Sequence, residues 1–181
     1  MNINIEKEYK VLLNEEQFDL LVKQQDNLLF VEQINTYYDT LQHDLRNCHG
    51  VLRIREKNNS YLFTMKLHSD EGLQEFECNV PNNSIDVFEQ PDIKALLQHH
   101  NFNAPFKKIT TLLTKRAVVD SPYAEICFDE NFYNGKHDYE IEYEYKSDHD
   151  GLTIFQNILK PIGITYKDNC LSKFKRAMDS L

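Results

Sequence analysis

Seven residues near the end of the chain, Tyr139-Glu-Ile-Glu-Tyr-Glu-Tyr145, alternate acidic and apolar side chains without a fault. Successive side chains of an extended backbone point to opposite faces, so this period of two specifies a β-strand. Glu140, Glu142 and Glu144 share one face, and Tyr139, Ile141, Tyr143 and Tyr145 share the other. The pattern constrains the fold because it recurs along the chain. In the opening segment Glu6, Glu8 and Lys10 oppose Ile5, Tyr9, Val11 and Leu13. Arg53 and Arg55 oppose Leu52 and Ile54; Thr64 and Lys66 oppose Phe63 and Met65; Glu75 and Glu77 oppose Phe76 and Cys78. Arg116 is set against Lys115 and Ala117, while Glu125, Cys127 and Asp129 oppose Ile126 and Phe128.

Turn and helix signals separate these segments. Asn14, with Gln17 three residues on, caps a short helix whose apolar side carries Phe18, Leu20, Leu21 and Val22. A second strand, 33–40, runs into a loop over 41–50. Strands 51–56 and 61–67 form a hairpin around Lys57-Asn-Asn-Ser60, and a further turn at Ser69-Asp-Glu-Gly72 leads to strand 74–80. Pro81 opens a helical insertion reaching Gln98. Strands 107–120, 123–129 and 139–145 follow, with Gly135 in the last turn. Helices over 151–160, stopped by Pro161 and Gly163, and over 170–181 close the chain. Eight strands joined mostly by hairpin-length turns predict an α+β fold, an eight-stranded antiparallel β-barrel with flanking helices. At 181 residues this is one domain over 1–181, with C-terminal helices from about 150 to 181.

Composition removes several functional classes. Twenty basic residues against 29 acidic ones leave a net charge of −9, which does not suit a protein that tracks along nucleic acid. No apolar run approaches a membrane span, and Glu6 and Lys7 stand where a signal peptide needs its apolar core. The chain reads as cytoplasmic. Cys48, Cys78, Cys127 and Cys170 form no C-x-x-C pair, so they are read as reduced thiols. His99-His100 is read as a surface pair at a helix end.

Each charged face by itself is the solvated side of a half-buried sheet. As a set the faces say more. If the sheet closes with its apolar face under the helices, the charges converge in the lumen, where they require counter-charges or ligands. Lys10, Arg53, Arg55, Lys66 and Arg116 would line it with cations matched to phosphate oxygens. Glu6, Glu8, Asp129, Glu140 and Glu142 would line it with carboxylates matched to hard divalent ions.

Glu6-x-Glu8-x-Lys10, Tyr37-Tyr-Asp-Thr40, Leu52-Arg-Ile-Arg55, Thr64-Met-Lys66, Glu75-Phe-Glu77, Lys115-Arg116, Phe128-Asp129, Glu140-Ile-Glu142 and Ser172-Lys173 occur in an order that resembles the CYTH family of triphosphate tunnel metalloenzymes. The resemblance spans essentially the whole chain and is nearest to the small bacterial, adenylate cyclase-like members. It implies an eight-stranded tunnel that takes a triphosphate-bearing small molecule and requires Mg2+ or Mn2+. It further implies that Lys10, Arg53, Arg55, Lys66, Arg116 and Lys173 bind phosphates, with Arg176 a weaker substitute for Lys173. Glu6, Glu8, Asp129, Glu140 and Glu142 would serve the metals, with Glu6, Glu8 and Glu142 catalytic. Glu75, Glu77 and Glu144 also face inward, which leaves the working member of each acidic set open.

The function expected on this basis is divalent-metal-dependent hydrolysis of the terminal phosphoanhydride of tripolyphosphate or of a triphosphorylated organic molecule. Two rivals use the same charges: an adenylate cyclase converting ATP to cyclic AMP, and a non-catalytic module that binds polyphosphate or nucleotide. Outer Tyr and Phe residues would cover helices or the second subunit of a homodimer.

Overall fold

The computed structural model describes residues 1–70, 72–103 and 105–181. In chain order these form β1 (Asn2–Glu6), β2 (Glu8–Leu13), α1 (Glu15–Val22), β3 (Val31–Thr40), α2 (Asp44–Asn47), β4 (Val51–Lys57), β5 (Ser60–Ser69) and β6 (Gly72–Val80). A 3₁₀ turn (Ile85–Glu89), α3 (Pro91–His99), β7 (Phe106–Asp120), β8 (Ala124–Tyr133), β9 (Lys136–Tyr145) and α4 (Gly151–Leu159) follow. A second 3₁₀ turn (Lys160–Ile162) and α5 (Lys173–Asp179) end the chain. The expected turn at Ser69–Gly72 includes Glu71, which lies outside the described residues. The fold class is α+β, with one sheet in the order β1-β6-β5-β4-β3-β7-β8-β9-β2 and antiparallel registers.

Among the described residues there are nine strands rather than eight because the opening segment is two strands. It divides at Lys7: β1 pairs with β6 and β2 pairs with β9. The alternation of side chains runs through the break, so the sequence reads one strand. What divides it is a change of hydrogen-bond partner, which no local pattern records. The two outermost strands of the sheet order are thus consecutive in the chain. Two smaller corrections concern helices. The expected loop over 41–50 contains α2, whose Leu45 and Arg46 amides donate to the Asp39 carboxylate at 3.0 and 3.2 Å. The last helix begins at Lys173, because the Ser172 hydroxyl accepts from the Lys175 amide at 3.2 Å and sets the N-cap there.

The described residues fall into two compact units, Met1–Glu6 with Gln33–Leu112, and Lys7–Glu32 with Leu113–Leu181. In the first, Leu52, Ile54, Phe63, Met65 and Phe76 point from the strands into a core completed by Val87 and Phe88 of the 3₁₀ turn and by Ile93 and Leu97 of α3. In the second, Leu13, Phe128, Ile141 and Tyr143 meet Phe18 and Leu21 of α1 and Phe155 and Leu159 of α4. Each unit therefore spends its apolar strand face on helices. The outer aromatics are accounted for in the same way: Tyr139 lies 4.7 Å from Phe18 between ring centroids, and Tyr9 stacks at 5.9 Å on Phe155.

Local chemistry fixes the joints. The Gln17 amide donates to Asn14 Oδ1 at 2.8 Å and the Asn14 amide donates to Gln17 Oε1 at 3.0 Å, a complete capping box for α1. Asn134 and Gly135 turn β8 into β9 with positive φ at both residues, 46° and 73°, as a two-residue hairpin requires. At Gly151 a β-carbon would sit 2.5 Å from Tyr145 Oη, so only glycine lets α4 start against β9. Asn14→Ala should cost about 1 kcal/mol and Phe155→Ala about 3–5 kcal/mol in urea unfolding. Equal midpoints for the two variants would contradict this division between cap and core.

Candidate functional site

Strand register assembles the charged face of the second unit. Across β2, β9, β8 and β7 the directly opposed residues are Leu12, Glu140, Asp129 and Arg116, and the neighbouring row holds Lys10, Glu142 and Cys127. Residues scattered over more than a hundred positions thereby share one face. The first turns of α5 add Lys173 and Arg176.

Asp129 and Glu140 are fully buried and Glu142 is 8% exposed. Carboxylates so placed need partners, since desolvation would otherwise protonate or unfold them. Arg116 supplies a fork: Nε donates to Asp129 Oδ1 at 2.7 Å and Nη2 to Oδ2 at 2.6 Å, and Nη2 also reaches Glu142 Oε2. Lys173 Nζ lies 2.8 Å from Asp129 Oδ2, 2.5 Å from Glu140 Oε1 and 2.6 Å from Glu142 Oε1. Arg176 Nη2 takes the remaining Glu140 oxygen, Oε2, at 2.6 Å. One oxygen from each of Asp129, Glu140 and Glu142 lies within 4.8 Å of the others. Three hard oxygen donors at that spacing could hold a metal ion.

The two glutamates are driven apart in acidity. Burial, reinforced by neighbouring Glu142, pushes Glu140 up to about 7 despite Lys173 and Arg176. At Glu142 the burial penalty is outweighed by Lys173 and Arg116, which hold it well below the usual carboxylate range. Burial likewise works against the charges of Lys173 and Arg116, but the surrounding carboxylates outweigh it and keep both cations protonated. Cys170 beside this group is an inert thiol, pushed up to about 12 by burial and by Glu140.

The other inward residues divide between the units. On β2, Lys10 pairs with Glu8, and Glu144 stands opposite Glu8 and Glu125 outside the three-carboxylate group. In the first unit Lys66 Nζ lies 2.6 Å from both oxygens of Glu6 and 3.1 Å from Glu75 Oε1. Arg53 Nη2 is 3.9 Å from the same Glu75 oxygen, and its buried Nε has no hydrogen-bond partner among the described residues. Arg55 Nε donates to Asn35 Oδ1 at 3.0 Å, and the Thr64 hydroxyl donates to Glu77 Oε1 at 2.9 Å. Glu75 thus belongs with the cations and Glu77 with a buried threonine. The carboxylate group described above contains neither Glu6 nor Glu8.

Sequence reasoning undervalued Arg176 and passed over Asp138. Arg176 is 9% exposed, with Nε donating to Asp138 Oδ2 at 2.9 Å and Nη2 to Oδ1 at 3.2 Å, while Nη1 caps the Leu171 carbonyl. Asp138 also accepts from Asn131 Nδ2 at 3.0 Å and from the Tyr133 hydroxyl at 2.5 Å. The signal was present: Asp138 extends the 140-142-144 face by one period, and Lys173 and Arg176 are three apart on one helix.

This arrangement belongs to a known class. A family model described as the CYTH domain matches residues 4–174, and the chain is a member of that family. A relative in Bacillus subtilis (strain 168), named "Putative triphosphatase YjbK", is 31% identical over 174 residues, which cover 93% of this chain and 92% of the relative. A crystal structure from Bacillus halodurans, described as a putative adenylate cyclase, is 30% identical, with a TM-score of 0.86 over 97% of this chain and 98% of that one. A Hippeastrum protein, described as a putative adenylyl cyclase with a dominant triphosphatase activity, shares the fold at 23% identity, with a TM-score of 0.77 over 97% and 96% of the two chains. Among the described residues no helix is long and apolar enough to cross a membrane.

A pH dependence follows from Glu140. In the metal-free protein its carboxyl stays protonated to about 7 when folded and ionises near 4.5 when unfolded. The folded state holds the extra proton across that window, so this group's contribution to stability falls as pH rises through it. Glu140→Gln removes that slope. Its urea midpoint should shift upward relative to the parent between about pH 5 and 7, and a constant difference would show that Glu140 ionises normally.

Proposed function

We propose that this protein hydrolyses the terminal phosphoanhydride of inorganic tripolyphosphate or of a triphosphorylated organic molecule, with Mg2+ or Mn2+ as cofactor. The observation that carries the proposal is the buried group of Asp129, Glu140 and Glu142 set among Arg116, Lys173 and Arg176. Replacing a buried ion group by well-packed apolar residues is often neutral or stabilising, so the charges are explained best by ligands of both signs. Membership of the CYTH family and the name of the B. subtilis relative support the reading.

Asp129, Glu140 and Glu142 would hold the metal, with Glu6 and Glu8 as the further carboxylates the family resemblance assigns. A divalent ion in such a site polarises phosphate oxygens and neutralises charge that develops on the leaving group. Arg53, Arg55 and Lys66, with Lys10, Arg116 and Lys173, would bind phosphate oxygens. Guanidinium forks suit that task, and the unpartnered Arg53 Nε has a donor to spare. Glu142, held ionised by its cations, would accept a hydrogen bond from the attacking water and orient it, and no side-chain nucleophile is required. Cyclisation of ATP is the second reading, favoured by the description of the B. halodurans relative.

The test is phosphate release from tripolyphosphate, ATP and thiamine triphosphate with Mg2+ or Mn2+, with cyclic AMP assayed in the ATP reaction. Orthophosphate from one of these substrates, abolished by EDTA, is the expected result. Asp129→Asn and Glu142→Gln should lower kcat by about 100-fold or more, whereas Arg53→Ala and Lys66→Ala should act mainly by raising KM about tenfold. Cyclic AMP without orthophosphate would establish the cyclase, and no turnover with either metal would leave a binding module.

A further inference from the structure

Every oxygen of the three buried carboxylates is already engaged by a cation of this chain. Arg116 holds both Asp129 oxygens and Glu142 Oε2; Arg176 holds Glu140 Oε2; Lys173 meets Asp129 Oδ2, Glu140 Oε1 and Glu142 Oε1. A divalent ion set between the three acids would contend with these cations for the same oxygens. The cations are not equally held.

Arg176 is locked by bonds that have nothing to do with the group, two to Asp138 and one to the Leu171 carbonyl. Arg116 lies along β7, and its fork closes two bonds on a single carboxylate. Lys173 differs from both. It is one point charge on a flexible stem, it is the first residue of α5, and its ion pairs among the described residues are to the three carboxylates alone. It is also the only one of the three cations that touches all three acids, which is the position a metal needs.

We infer that Lys173 occupies the cation position between Asp129, Glu140 and Glu142 in the metal-free protein and competes with the divalent ion for it, so that Lys173 sets the affinity of the metal site. The inference rests on the metal reading given above. Metal entry puts like charge beside the ammonium and removes its partners, which frees Lys173 for a phosphate oxygen. Arg176 keeps α5 in place while this exchange happens, so only a side chain needs to move.

The experiment is calorimetric titration with Mn2+ alone, without phosphate, of the parent, Lys173→Met, Lys173→Gln, Lys173→Arg and Asp129→Asn. Loss of the competitor should make both uncharged variants bind Mn2+ at least about tenfold more tightly than the parent, while the arginine variant gains nothing. Thermal midpoints give an independent readout: both uncharged variants should melt lower than the parent without metal and gain more from Mn2+. Parent affinity or weaker in the uncharged variants, with binding abolished in Asp129→Asn, would overturn the exchange and leave the metal site standing. Absence of Mn2+ binding in every protein, the parent included, would overturn the metal reading and the exchange together.

Discussion

The compensation of buried carboxylate charge is the constraint on which the rest of this structure depends. Asp129 and Glu140 are completely out of solvent, and moving an ion of that size out of water costs several kcal/mol even after the protein relaxes. That cost is tolerable only because Arg116, Lys173 and Arg176 meet the oxygens directly. Two of these cations come from α5, a helix of seven residues. The docking of α5 is therefore coupled to these acids: without it Glu140 would lose both of its cations, while Asp129 and Glu142 would keep Arg116.

The first unit solves the same problem with different residues. Lys66 sits between Glu6 and Glu75, and Arg53 approaches the same Glu75 oxygen. In each unit the ions lie on the strand face opposite the apolar core. On the function proposed above, a metal entering between Asp129, Glu140 and Glu142 would exchange partners with cations already in place. Such exchange lets ions be held in a low dielectric without leaving any of them bare when the ligand departs.

Much of this was legible beforehand. The period-two faces of Arg53-x-Arg55, Thr64-x-Lys66 and Glu140-x-Glu142 identify strand, orientation and charge together, and the Asn14/Gln17 box identifies α1 to within a residue. What escaped was partner choice. The split of the opening segment at Lys7 leaves its alternation untouched, so nothing local distinguishes one strand that bonds to one neighbour from two that bond to β6 and β9. Arg176 was undervalued for a related reason. An arginine on a short polar helix is ordinarily solvated, and its burial depends on Asp138, which lies 38 residues earlier.

By itself the sequence determined where most strand residues lie and which faces carry charge, because both follow from side-chain alternation and turn chemistry within a few residues. It determined the types of charged group on those faces as well, carboxylates on some strands and guanidinium or ammonium groups on others. Only the tertiary structure decided which carboxylates come within 4.8 Å of one another and which cations compensate them. Those outcomes depend on strand register and helix docking, in which a shift of one residue exchanges the two faces, and the free energy that selects the register is spread over the whole core.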